Sequence, residues 1–198
     1  AMKVIQVRCP NCNSPIMSKQ RDLLFLCQQC GTMHVRDGGV NLVDYEIADF
    51  AKSAPIQGRT YVPFWRIYAH FAILSKNSSG GSMYKLANWI KGGGGDSGDV
   101  FIFVPAPDFD PPTFKRLATD FTVNWPKYST RLDFGGVPRL PANLPKEEAV
   151  KLAHFVIITI EAEKPGVLQT LDYTLDVKDA RIIFLPFNST ADGLRPGL

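Results

Sequence analysis

Tyr61-Val62-Pro63-Phe64-Trp65-Arg66-Ile67-Tyr68-Ala69-His70-Phe71-Ala72-Ile73-Leu74 is the stretch on which the fold turns. Tyr61, Pro63, Trp65, Ile67, Ala69, Phe71 and Ile73 are all apolar, and they alternate with a second set that carries Arg66, Tyr68 and His70. A period of two places the first set on one buried face of an extended chain. A buried helix over Phe64–Leu74 is the competing reading, because Ala and Leu occur there. The sustained alternation favours the strand.

Working outward toward the C-terminus, Val100-Phe101-Ile102-Phe103-Val104 reads as another strand. Asp110 is placed to cap a helix with Pro111 at its first position, and Phe114, Leu117, Ala118 and Phe121 then make one apolar stripe. Pro145-Lys146-Glu147-Glu148 opens a second helix, acidic in its first turn as the helix dipole favours. Phe155–Ile160 is rich in β-branched residues and reads as a strand, with continuation of the helix as the alternative. Gln169–Val177 alternates, Lys178-Asp179 reads as a turn, and Arg181–Phe187 closes the sheet. These three strands on short connections predict an antiparallel meander.

Two loops flank an amphipathic piece at Met83–Lys91: one over residues 76–82, the other the glycine run 92–98. Gly93, Gly95 and Gly98 formally satisfy a dinucleotide fingerprint, but a strand follows them where a helix is needed, so they read as a surface loop. Residues 124–145 carry four prolines and interleave Trp125, Tyr128 and Phe134 with Arg131 and Arg139. Such a mixture either stacks on bases or partner side chains, or packs as a loop over the sheet.

Toward the N-terminus, Asp44–Ala51 reads as a short helix inside a connector, and Gly38-Gly39 separates it from a region of different character. That region holds all four cysteines, as Cys9-Pro10-Asn11-Cys12 and Cys27-Gln28-Gln29-Cys30, with 14 residues between the pairs. Each pair puts two thiolates on one tight turn, and two such turns close a tetrahedral four-sulfur site of the kind that suits Zn²⁺. Cys9, Cys12, Cys27 and Cys30 are therefore the expected ligands of a structural zinc ion. Iron is the less favoured occupant, because iron knuckles prefer Gly after each pair and Asn13 stands where the first would be. His34 reads as an ordinary strand histidine, since four thiolates already complete the shell. Ala1 ahead of Met2 reads as a tag remnant and is set aside.

On these motifs residues 3–36 resemble the short four-cysteine zinc ribbons, with rubredoxin-like knuckles, of transcription factors, ribosomal proteins and small bacterial proteins. The whole chain looks like uncharacterised bacterial zinc-ribbon proteins. The resemblance implies a structural metal, and docking to nucleic acid in some members and to protein in others.

The expected fold is therefore α+β: a small N-terminal zinc ribbon followed by a largely antiparallel sheet domain with two or three helices. The expected organisation is a ribbon over 2–38, a connector over 39–58, the α+β domain over 59–188 and a loose tail over 189–198.

Composition narrows the function. The chain has 198 residues and a formal charge of +3, and its pI is near 8.7. Residues 1–40 hold Lys3, Arg8, Lys19, Arg21 and Arg36 against Asp22 and Asp37, while the remainder is balanced. Four thiolates and one divalent ion remove two charges from that module and leave about +1. Basic residues are otherwise dispersed, so nucleic-acid binding is weakly supported and stands as the alternative. His34, His70 and His154 fall in no catalytic motif, and the cysteines are committed to metal. No catalytic residue is assigned, and an unrecognised site in the α+β domain is the third reading. No apolar run approaches the ~20 residues that span a bilayer, and no basic-then-apolar leader is seen. The expectation is a cytoplasmic metal-binding protein that docks to a protein partner.

Overall fold

The computed structural model describes the backbone of residues 4–19, 21–78, 89–90, 96–161 and 169–198. In chain order the elements are β1 (Val4–Arg8), β2 (Pro15–Lys19), β3 (Leu24–Leu26), β4 (Met33–Arg36), β5 (Val40–Leu42), β6 (Tyr45–Ala48), β7 (Arg59–Ser78) and β8 (Ser97–Pro105). They continue as α1 (Pro111–Val123), β9 (Thr130–Arg131), α2 (Lys146–Glu161), β10 (Gln169–Thr190) and β11 (Gly193–Pro196). Most of the amphipathic piece at Met83–Lys91, most of the two loops around it and the Pro165-Gly166 turn lie outside the described residues.

The alternation at Tyr61–Leu74 is a strand. Strand β7 runs antiparallel to β8 on one side and to β10 on the other, within the sheet order β8-β7-β10-β6-β9. Trp65, Ile67 and Phe71 face a core that α2 seals with Ala153, Val156, Ile157 and Ile160. On the opposite face Val62, Phe64, Leu185 and Phe187 pack against Leu117 and Phe121 of α1. Helix α1 starts where the sequence places it: the Asp110 carboxylate accepts from Thr113 N–H at 3.1 Å. That bond is a helix cap and gives Asp110 its role.

The class is α+β, but the sheet differs from the expected meander in four places. Phe155–Ile160 forms the last turns of α2, not a strand. Its buried residues follow helical spacing from Ala149 through Ala153, Val156, Ile157 and Ile160, so burial on one face overrides β-branched propensity. Lys178-Asp179 is not a turn. Strand β10 passes straight through with a register shift between Val177 and Asp179, because the long β7 opposite it continues the ladder. Asp44–Ala51 is not helical: Tyr45–Ala48 forms β6 and pairs in parallel with β10, which makes the sheet mixed. The polar stretch after Asn188 is not wholly loose, since β11 pairs with the end of β10. No helix among the described residues is long and apolar enough to cross a membrane.

Two smaller sheets hold the N-terminal residues. Strands β1 and β2 form a hairpin, and β3, β4 and β5 form a three-stranded sheet. The second sheet has two working faces, as period two requires. Leu24, Met33 and Val35 point into the main core, while Phe25 packs in a small cluster with Cys9, Ile16 and Cys27.

Candidate metal centre

Each pair of cysteines is built by the same local device. Cys9 N–H donates to Ser14 O at 2.8 Å, and Asn13 N–H returns to Cys9 O at 2.8 Å. In the second turn Cys27 N–H donates to Thr32 O at 2.9 Å, and Gly31 N–H returns to Cys27 O at 2.8 Å. The residue after each pair lies in the left-handed region, Asn13 at φ 61° and Gly31 at φ 71°. Asn is the side chain that tolerates this conformation best after Gly. The two knuckles therefore match in geometry although their residues differ, and Asn13 no longer separates zinc from iron.

The four sulfurs converge between the knuckles, all within 4.8 Å of one another. Cys9 Sγ lies 3.7 Å from Cys30 Sγ, and Cys12 Sγ lies 3.5 Å from Cys27 Sγ. A tetrahedral ion with metal–sulfur bonds of ~2.3 Å has sulfur–sulfur edges of roughly 3.8 Å. The donor set therefore fits a single tetrahedral ion, and one sulfur from each knuckle contributes to each close contact. Cys9 and Cys27 are buried, Cys30 is half-buried and Cys12 is exposed.

The thiols are electrically unequal. Cys30 is drawn down to about 5, first by the Thr32 hydroxyl and then by the Asn11 side chain and the Thr32 backbone N–H. Cys9 is opposed by burial, yet N–H groups of Cys12 and Asn11 and the Thr32 hydroxyl carry it below its ordinary value. Cys27 accepts from the Cys30 N–H, but burial and the neighbouring Cys12 and Cys30 sulfurs outweigh this and push it up to about 11. The lowered value at Cys30 favours the thiolate, the form that binds a cation, while burial at Cys27 favours the thiol.

His34, expected to be an ordinary strand histidine, stands beside the sulfurs. His34 is fully buried, with Nε2 3.4 Å from Cys9 Sγ and 3.0 Å from Thr32 Oγ1. The signal was present in the strand pattern: Met33 and Val35 alternate around a histidine that pairs directly with buried Phe25.

The aromatic and basic residues of 125–139 are largely consumed by packing. Trp125 Nε1 donates to Phe101 O, and Tyr128 donates to Glu46. Phe134 meets Tyr61 and Phe184 edge-on, at 5.5 and 4.9 Å between ring centres. Arg139 pairs with Asp22 at 2.9 Å, and Arg131 pairs with Asp133 at 3.3 Å. Beside this loop, a cavity of about 880 Å³ opens between β3, Tyr45 and residues 132–141. Leu132 at its lip is 98% exposed. His70 and His154 lie apart from the thiols, bonded to Asp99 and Tyr173 respectively.

No protein-family description, curated protein or solved structure matches this chain.

Proposed function

We propose that Cys9, Cys12, Cys27 and Cys30 hold one Zn²⁺ as a structural ion, and that the module it closes serves protein docking rather than catalysis. The convergence of four thiols from two matched knuckles carries this reading. Four sulfurs fill a tetrahedral shell and leave no position for water or substrate, so the ion's role is to fasten chain to chain. Residues 2–38 are the metal module in this reading and residues 59–188 the body it serves. A reducing cytoplasmic setting keeps such thiols available for metal.

Docking to protein is supported by the cavity beside β3 and by the exposed Leu132 at its lip. Nucleic-acid binding gains no comparable support, because Arg131 and Arg139 are already paired with carboxylates.

Elemental analysis of freshly purified protein tests the first part. One zinc per chain is the expected result. Iron in its place, or no metal, overturns it. For the second part, native lysate is passed over the wild-type chain and over Leu132→Asp. A partner held by the wild type and lost by the variant is expected, and identical captures from both overturn the docking reading.

A further inference from the structure

Strand β4 sends alternate side chains to opposite faces of its sheet. Met33 and Val35 enter the main core, and His34 enters the other side with the sulfurs. His34 is 0% exposed, which is costly for an imidazole unless its polar atoms are used. Its Nε2 meets two atoms, Thr32 Oγ1 at 3.0 Å and Cys9 Sγ at 3.4 Å. Thr32 Oγ1 in turn lies 3.0 Å from Cys30 Sγ.

Metal-bound thiolates only accept hydrogen bonds, and that fixes the direction of this chain of contacts. The Thr32 hydroxyl donates to Cys30. The His34 Nε2–H is shared between Cys9 and the Thr32 oxygen. The remaining ring nitrogen, Nδ1, is buried and has no partner among the described residues. With the proton on Nε2, Nδ1 leaves a lone pair unused. The opposite tautomer would strand a buried N–H, the rarer arrangement in proteins. The buried environment and the sulfur contacts therefore select the same tautomer.

We propose that His34 and Thr32 form an outer hydrogen-bonding layer of the metal centre, His34 securing Cys9 and Thr32 securing Cys30, and that this layer governs how slowly the ion leaves. The proposal rests on the metal reading above and extends it to regulation of the same site. A divalent ion with four thiolates carries two net negative charges. Donors aimed at two of the sulfurs disperse that charge and hold those ligands in place. Among the described residues, Cys12, the exposed ligand, has its sulfur beside that of Cys27 and meets no donor like those at Cys9 and Cys30. Ion loss accordingly begins at Cys12, and the secured Cys9 and Cys30 are the last to let go.

The test uses the full chain loaded with Zn²⁺ or Co²⁺, in the wild type and in His34→Leu, Thr32→Val and Thr32→Ser. Zinc release to an excess of a chromophoric chelator gives the rate. In the cobalt form, the thiolate-to-metal charge-transfer band reports sulfur electron density. Both His34→Leu and Thr32→Val should release zinc about tenfold faster or more, with the cobalt band moved to lower energy. Thr32→Ser, which keeps the hydroxyl, should restore both. Should His34→Leu fail to fold, the two Thr32 variants decide alone. Release rates within about twofold of wild type, with an unmoved band, overturn the outer layer and leave the metal reading standing. A wild-type chain that takes up neither ion overturns the metal reading itself.

Discussion

The β1–β2 hairpin and the β3–β5 sheet carry the same knuckle with the same turn geometry, yet they are attached to the molecule in different ways. The bonds that shape the first knuckle are internal to it, as in Cys9 N–H to Ser14 O and Asn13 N–H to Cys9 O. Its described apolar contacts are those of Val7, Cys9 and Ile16 in the small cluster with Phe25, Cys27, Cys30 and Val40. The second knuckle is held by the main body. Leu24, Met33 and Val35 belong to the large core, Leu23 N–H donates to Ala142 O, and Tyr45 Oη donates to Gly31 O. The four-cysteine cluster thus has unequal structural support on its two sides. In the proposed metal-bound form the ion would supply the hairpin's attachment, whereas for β3–β5 it would add to one that exists already. Cohesion changes between β2 and β3, within the four-cysteine region.

Withdrawal of the ion is the strongest way to break this contrast. Structural zinc contributes apparent binding energies of about 10–16 kcal/mol, which for a two-stranded hairpin is folding energy. On treatment with a strong chelator, amides of β1 and β2 should lose protection in hydrogen exchange. Those of β3, β4 and β7 should keep it. Simultaneous loss of protection in both sets would show that the ion supports the body as well.

Asp22 comes next, because it fastens the β3 side without touching the ion. Its carboxylate, 6% exposed as a residue, accepts from Leu24 N–H at 3.0 Å, Ala142 N–H at 3.1 Å and the Arg139 guanidinium at 2.9 Å. Asp22→Ala strands all three donors and should cost about 3–5 kcal/mol of global stability in urea unfolding, while zinc content stays at the wild-type value. Asp22→Asn keeps one acceptor and should recover part of the loss.

Paired cavities sharpen the contrast further. Met33→Ala removes a fully buried side chain from the main core and should lower global stability by about 2–5 kcal/mol. Ile16→Ala empties the small cluster around the sulfurs. It should leave the main thermal transition in place and instead speed metal loss to a chelator. A shared drop in the main transition would mean that the two clusters unfold as one.

How much of this was legible in the sequence follows the same division between local and distant causes. The knuckles could be read because four thiols in two closely spaced pairs are local chemistry, although the left-handed Asn13 after the first pair was not foreseen. Strand β7 and the Asp110 cap could be read for the same reason, from a period of two and from an acceptor ahead of a proline. Most of the misreadings involve a distant partner; the pairing of β11 with the adjacent end of β10 does not. Tyr45–Ala48 is extended because β10, more than 130 residues later, offers it a parallel edge. Lys178 is a bulge and not a turn because β7 continues opposite it. Asp22 and Arg139 form the joint between module and body across 117 residues of chain, and nothing near either of them announces the pairing. His34 lies between these cases. A polar residue at the register of Phe25 marks it as unusual, but the Cys9 sulfur it meets comes from the other hairpin.

The smallest effect belongs at Asp110, on the far side of the contrast, where a lesion touches the body alone. Its carboxyl is held below the ordinary value of 3.8, chiefly by the Thr113 hydroxyl and then by the Thr113 N–H. A carboxyl with a depressed folded-state value contributes stability above its unfolded value, and that contribution disappears as pH falls through the folded one. Asp110→Ala should therefore lower the thermal midpoint slightly at neutral pH, and the two proteins should converge once the pH drops well below 3.8. Zinc release at neutral pH should be the same in both. If this distant cap loss also quickened zinc release, the ion would be sensing the stability of the whole body, and the hairpin could no longer be regarded as a unit fastened by metal alone.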